Sequence, residues 1–244
     1  MTISKNYGTA LEMKHTVKSG FHTNPVKINL VGVGGGGSLV LSGLVRLHLA
    51  MKSLGHPYGL DVEVWDPDRV TPANIGRQLF AASEVGLNKA EALVNRYNLG
   101  FALNWEAHPE RYRFTRSFDI LIACVDSRKS RKEIFQTLPK KNGPYVLDGG
   151  VLATCGQVII GNGSNELPYP YVELPTLIDT KVKEQNLPSC SLAESLSIQE
   201  LFVNQWLATA ELELIWRLFR KGGLDYRGFY INLDTGRMNP VPIN

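Results

Sequence analysis

The stretch INLVGVGGGGSLV, Ile28 to Val40, places five glycines in thirteen residues immediately after an apolar run. VKINLVGVG (26–34) is short, β-branched and stops at glycine, which reads as a buried strand. Ser38 to Leu54 then carries apolar residues at helical spacing, with Gly43 as an exception. Gly32, Gly34 and Gly37 satisfy G-x-G-x-x-G in the strand–turn–helix setting that the fingerprint demands. Glycines let the backbone approach an anion, and a helix start offers unpaired N–H groups at the positive end of its dipole. The turn therefore predicts a bound phosphate but does not choose the nucleotide. A nicotinamide enzyme wants an acid about 20 residues on, closing the second strand. Asp61, Glu63 and Asp66 all come late for that.

Working outward, the order of elements predicts a doubly wound α/β fold. GLDVEVWDPD (59–68) alternates like a strand, Glu84 to Tyr97 reads as a helix, and LNWEAHPERY (103–112) as an edge strand. FDILIACVDS (118–127) is another buried strand, Ser130 to Leu138 a short helix, and residues 145–161 one or two more strands. Strand, glycine turn, helix, strand, helix, strand is the signature of a Rossmann-like, mostly parallel sheet. Residues 1–25 read as an N-terminal arm, and 26–244 as one domain. Residues 161–190, rich in Pro, Gly and polar residues, read as an embedded mobile loop. Ser191 to Arg220 predicts a long amphipathic helix carrying Phe202, Trp206, Ala210 and Leu214, and a β-hairpin turning near Asp234–Gly236 follows it.

Bulk properties exclude several classes. The 244 residues are 43% hydrophobic and 20% charged, with a net charge of +3, so neither a basic stripe nor a basic tail points to nucleic acid. No stretch reaches the ~20 apolar residues of a membrane span, and the N-terminus lacks a signal-peptide core. Cys124, Cys155 and Cys190 form no C-x-x-C pair, which leaves no disulfide framework or cysteine zinc site and makes a reducing cytoplasm the expected location. The five histidines, His15, His22, His48, His56 and His108, show no paired metal-ligand spacing.

The second stretch, DPDRVTPANIGRQ (Asp66 to Gln78), discriminates between nucleotides. Asp66 at a strand end suits ribose hydroxyls, and Arg77 offers a planar fork to phosphate oxygens. Arg77 and Lys89 converging on one nucleotide serve an enzyme that stabilises departing pyrophosphate and have little use in a dehydrogenase. At these residues the chain resembles the ubiquitin-activating-enzyme-like superfamily of the ThiF/MoeB/HesA type. The pattern comprises Gly32, Gly34, Gly35 and Gly37; then Asp66, Asp68, Val70, Asn74, Arg77 and Gln78; then Lys89; then CVDSRKSR with Asp126 and Arg131. It covers roughly residues 28–161 and includes the strand GQVII. LPSCSLAESLSIQELFVNQ and the compact length further resemble the ThiF-related members of PRTRC plasmid cassettes.

The resemblance implies that ATP and Mg²⁺ bind at the glycine turn. Asp66 would hold the ribose, Asn74, Arg77 and Lys89 the triphosphate, with Asp68 and Gln78 in the same site, and Asp126 the metal. It also implies a homodimer and, as substrate, the C-terminal tail of a small ubiquitin-like protein. Two departures stand out. No arginine precedes Arg46 to reach a partner's ATP site, leaving Lys5, Lys14, His15 or Lys18, and the zinc-binding cysteine pairs of many relatives are missing. Alternative readings are adenylation of a small-molecule or tRNA carboxyl group, and a nucleotide-binding scaffold without chemistry.

Read from the residues alone, Asp126 is a metal ligand or an N-cap for the helix after it. Arg128, Lys129, Arg131 and Lys132 read as an exposed helix face. Cys124 reads as an inert core thiol and Cys155 as structural. Cys190 lies beside the capping box of Ser191 and Glu194, where a helix start lowers a thiol pKa. There it is either the acceptor of the activated acyl group as a thioester or a packing residue.

Overall fold

The structure, a computed structural model, describes residues 15–114, 116–182 and 199–243. Its centre is an eight-stranded sheet. The strands are β2 (Val26–Val31), β3 (Leu60–Trp65), β4 (Glu106–His108), β5 (Ile120–Ala123), β6 (Tyr145–Val151), β7 (Cys155–Gly161), β9 (Tyr226–Asn232) and β10 (Arg237–Pro242). The spatial order is β10-β9-β7-β6-β5-β2-β3-β4. From β6 to β4 every pairing is parallel, and from β6 outward to β10 every pairing is antiparallel. β2 is the first strand of the sheet and lies between β3 and β5, so the chain winds outward in both directions from it. The crevice at the carboxyl ends of β2 and β5 is the topological switch point, where open α/β sheets place ligands.

The expected mostly parallel α/β sheet, long C-terminal helix and hairpin are all present. One sheet face, with Ile28, Leu30, Val62, Val64, Ile120 and Ile122, packs on α1 (Gly35–Ser53), α2 (Lys89–Phe101) and α5 (Val203–Arg220). The opposite face, with Val31, Trp65, Leu121 and Val146, is covered by Ile134 and Phe135 of α3 (Arg128–Gln136).

Several expectations are corrected. Helix α1 begins at Gly35 and not at Ser38, because the glycines themselves form its first turn. Helix α2 begins at Lys89 and not near Glu84, because Gly86 adopts φ +91° and the Asn88 side chain caps the helix by accepting from the Glu91 N–H. The helix expected from Ser191 is not continuous. Residues 191–198 lie outside the described residues, and the Glu200 N–H bonds the Ala153 carbonyl (2.9 Å), so the helix starts only at Val203. Its buried stripe includes Leu207, Ala210 and Leu214, whereas Phe202 and Trp206 are 65% and 51% exposed.

The described part of the expected loop, residues 161–182, is anchored. Leu167 and Tyr169 are fully buried, and α4 (Pro170–Glu173) leads into a further helical turn at Pro175–Leu177. The buried Arg227 of β9 donates to Glu173 (2.7 Å) and to the Pro168 carbonyl (2.6 Å), pinning the segment to the sheet. The described part of the arm, from residue 15, joins the fold: β1 (His15–Thr16) pairs with β8 (Gly223–Leu224), and Phe21 stacks on Phe219.

Candidate functional site

The glycine turn follows β2 directly, and its geometry explains its composition. Gly32 has φ +86°, and a Cβ there would meet the Cys124 carbonyl at 2.7 Å. A Cβ on Gly37 would lie 1.9 Å from the Gly32 carbonyl oxygen. These two glycines fold the turn onto itself and onto β5. At Gly34 the nearest atom to such a Cβ is the Gln78 amide nitrogen at 3.9 Å, and at Gly36 it is an Asn204 oxygen at 3.8 Å. Those two positions have room for a side chain at ordinary contact distance, and the N–H groups of the first turn of α1, which begins here, have no partner within the helix.

Asp66 leaves β3 into this turn. It is buried, with Oδ2 accepting from the Val33 N–H (2.7 Å) and Oδ1 from the Asp68 N–H (2.9 Å). Burial pushes its pKa above the usual carboxylate value, and the two hydrogen bonds and Lys89 act in the opposite direction. Asp68 is exposed and holds the buried Lys89 ammonium at 3.4 Å. Asn88 locks the same corner by donating to the Asp66 and Asp68 carbonyls. Lys89 is thus tied through Asp68 and Asp66 to the turn.

Arg77 and Gln78 reach the turn from the other side. Arg77 Nη1 donates to Gln199 (3.4 Å), the same oxygen accepts from Asn204 (2.8 Å), and Asn204 packs on Gly35. Arg77 Nε and Gln78 Oε1 are buried and without a hydrogen-bond partner among the described residues. Such orphaned polar atoms are costly unless something else satisfies them. The Leu79 N–H bonds the buried Ser38 hydroxyl of α1 (3.2 Å), fixing this loop to the glycine helix. Asn74 is engaged locally: its side chain accepts from the Thr71 N–H (2.9 Å) and closes a small capping box.

Asp126 lies just beyond β5, exposed at the mouth of the crevice. The N-cap of α3 is Ser127, which accepts from the Ser130 N–H, so the capping role weighed for Asp126 belongs to its neighbour. Arg131 is also corrected. It is buried, donates to Asp148 (3.0 Å) and to the Gly149 carbonyl (3.1 Å), and reaches the Asp126 carbonyl (3.4 Å). Behind it lie Glu211 and Cys124. Glu211 is pushed up to about 8 by burial and the nearby Asp148, against the opposing Arg131. The Cys124 thiol is pushed well above its ordinary value by burial first and then by the Glu211 and Asp148 carboxylates, which agrees with an inert thiol. Cys155 lies half-buried on β7. Cys190, with Ser191 and Glu194, lies outside the described residues, as do Lys5 and Lys14. Of the remaining N-terminal cations Lys18 is exposed, whereas His15 is committed to the Tyr145 hydroxyl (2.7 Å).

Sequence reasoning missed Ser38, Asn88, Asp148, Asn204 and Glu211. Asn88 three residues before Glu91, and an acid inside the apolar stretch AELELIW, were the available signals.

A glycine turn at the switch point, an acid at the next strand end and cations tied to both form the candidate site of a doubly wound α/β protein. The chain matches the ThiF family over residues 22–243 and belongs to that family. Among solved structures it is similar to PaaA, with 17% identity, a TM-score of 0.59, and coverage of 89% of this chain and 64% of that one. It is likewise similar to E. coli MccB, with 14% identity, a TM-score of 0.60, and coverage of 90% and 62%. For MccB solved with ATP the values are 14%, 0.57, 90% and 64%. The chain spans less than two thirds of the length of these neighbours. No curated protein matches it. Among the described residues no helix is long and apolar enough to cross a membrane.

Proposed function

We propose that the protein is an ATP-dependent adenylating enzyme whose substrate is the C-terminal carboxylate of a small ubiquitin-like protein. The observation that carries this reading is the attachment of two cations to one glycine turn, Lys89 through Asp68 and Asp66, and Arg77 through Gln199 and Asn204. Arg77 Nε and Gln78 Oε1, without a partner among the described residues, supply one donor and one acceptor, and the Gln78 side chain lies next to Gly34. The family membership supports the same class, and MccB, a structural neighbour, has been solved with ATP and with MccA.

In this reading the N–H groups of α1 and the two cations grip the triphosphate, and Asp66 orients the ribose while it holds the turn. The substrate carboxylate attacks the α-phosphorus, and the bond to the β-phosphate oxygen breaks. Arg77 and Lys89 stabilise the negative charge that moves onto pyrophosphate. An Asp126 carboxylate at the crevice mouth fits a hard, oxygen-preferring Mg²⁺, which supplies further charge neutralisation on the phosphates when bound. Cys190 then takes the acyl group as a thioester and releases AMP.

ATP–pyrophosphate exchange, with and without small proteins bearing a free C-terminal tail, tests the proposal. Tail-dependent exchange is expected, lost in Asp126→Ala and retained in Cys190→Ala, which loses only a thiol-labile adduct. Firm ATP binding with no exchange for any tail or small acid overturns adenylation in favour of a scaffold. Exchange with a small acid alone overturns the protein-tail substrate.

A further inference from the structure

A second cluster of polar groups lies on the opposite flank of β3 from the β2 switch point, where the sheet ends at β4. Glu63 of β3 stands directly opposite Glu106 of β4 in the strand register, and Trp65 opposite His108. Two carboxylates facing each other across paired strands repel and call for a cation between them. Arg116 supplies part of it, pairing with Glu63 Oε1 and with Glu106 Oε1 (3.6 Å). Arg116 also pairs with Asp61 (3.7 Å), so one guanidinium faces three carboxylates and leaves negative charge uncompensated. The other oxygen of each glutamate turns toward one imidazole nitrogen: His108 Nε2 lies 3.7 Å from Glu63 Oε2 and 3.9 Å from Glu106 Oε2.

These contacts are too long for hydrogen bonds. Glu63, only 3% exposed, leaves Oε2 without a hydrogen-bond partner, and His108 Nε2 is likewise buried and unpartnered among the described residues. The structure thus aims an orphaned carboxylate oxygen and an orphaned imidazole nitrogen at one point, and an exposed glutamate completes the set, all three ligand atoms lying within 4.8 Å of one another.

We propose that Glu63, Glu106 and His108 form a divalent transition-metal site, of the zinc class, separate from the nucleotide crevice. Ligands on a tetrahedral zinc lie about 3.3 Å apart, from bonds of 2.0–2.1 Å. The two imidazole–carboxylate separations of 3.7 and 3.9 Å need to contract by about half an ångström, and the two carboxylate oxygens, within 4.8 Å of each other, close onto the ion with them. One imidazole with two carboxylates favours zinc over the oxygen-only preferences of magnesium and calcium. Glu106, at the exposed sheet edge, provides the entry path, and a fourth position is left for water. The ion neutralises the glutamate pair and staples β3 to β4. Because the His108 carbonyl accepts from the Asp66 N–H (3.2 Å), the staple also stiffens the strand end that delivers Asp66 to the glycine turn.

The test uses the chelator-stripped full-length protein, titrated with Zn²⁺ and, separately, with Co²⁺. The Trp65 ring stacks on the His108 ring with centroids 3.8 Å apart, so Co²⁺ at the site quenches Trp65 emission. Micromolar binding of one Zn²⁺ is expected, with Kd raised at least ~10-fold in both Glu106→Gln and His108→Gln. Trp65→Phe abolishes the Co²⁺ quench while Zn²⁺ binding persists. Glu106 is exposed, so its variant tests the site without disturbing the core. Absence of micromolar Zn²⁺ binding overturns the proposal. Zn²⁺ affinity unchanged in both variants overturns it equally, because cysteines or other histidines then hold the ion.

Discussion

Replacement of Glu211 by glutamine changes how stability depends on pH, and the size of the change follows from the structure. Glu211 sits on α5, 2% exposed, with Oε1 unpartnered and lying over Gly149, where an added Cβ would come within 2.4 Å of it. Its carboxyl is pushed from 4.5 up to about 8, by burial first and by Asp148 second, with Arg131 opposing. Between those values the unfolded chain gives up this proton and the folded chain keeps it. The unfolded state then binds fewer protons, so the stability contributed by Glu211 is full below about pH 4.5 and is lost as pH rises to about 8. At roughly 1.4 kcal/mol per pH unit, the loss is on the order of 3–5 kcal/mol. His15 and His48, both depressed by burial, act with the opposite sign, and each cancels when wild type and variant are compared. Urea unfolding at pH 5, 6.5 and 8 measures the difference. Glu211→Gln is expected to gain on the wild type by a few kcal/mol between pH 5 and 8. Parallel profiles, within about 0.5 kcal/mol, refute a neutral buried acid at this position.

Two other substitutions separate packing from charge. Gly37→Ala, whose Cβ falls 1.9 Å from the Gly32 carbonyl, is expected to cost about 1–3 kcal/mol or more, read as a lower Tm, whereas Gly36→Ala, with 3.8 Å of clearance, holds or raises it. Arg131→Met strands the buried Asp148 and is expected to cost about 3–5 kcal/mol by chemical denaturation. Adding Asp148→Asn is expected to recover most of that loss, and recovery of less than half refutes the ion pair as its source.

The sheet and glycine turn were legible because both rest on local rules: apolar runs that stop at glycine, and a helix that follows at once. Asp66 was legible as a strand-end acid, though not the acceptance of the Val33 N–H that makes it part of the turn. What failed was register and partnership between distant segments. Arg131 read as surface charge because its neighbours are charged, yet it shares a helix face with Ile134 and Phe135, and its partner Asp148 is supplied only when β6 pairs with β5. Glu63, Glu106 and His108 are 43 and 45 residues apart from first to later members, and no spacing rule brings them together before β3 and β4 align. The segment after Gly161 read as a loop because prolines and glycines dominate it. Leu167 and Tyr169, the two residues that seat it, carry no periodicity.

Gly35, Gly43 and Gly149, outside the G-x-G-x-x-G fingerprint, share one cause, and it bears on the proposed site. Asn204 and Glu211 are seven residues apart on α5 and therefore share one face. That face meets Gly35 at one end and Gly149 at the other, the backbones on either side of β5 and the switch point. A Cβ on Gly43 of α1 would lie 2.0 Å from Leu212, so this glycine, unfavourable inside a helix, is what lets α5 approach. Through Asn204 the same helix fixes Gln199, and through Gln199 it holds Arg77. The C-terminal helix is thus the element that brings Arg77 to the glycine turn, and widening the α1–α5 contact moves Arg77 without touching any residue of the turn. Gly43→Ala is therefore expected to weaken ATP binding, measured by calorimetry on the folded variant, while the Asp66–Lys89 side stays in place. Unchanged ATP affinity in a variant with a shifted Tm separates α5 from the site and refutes this coupling.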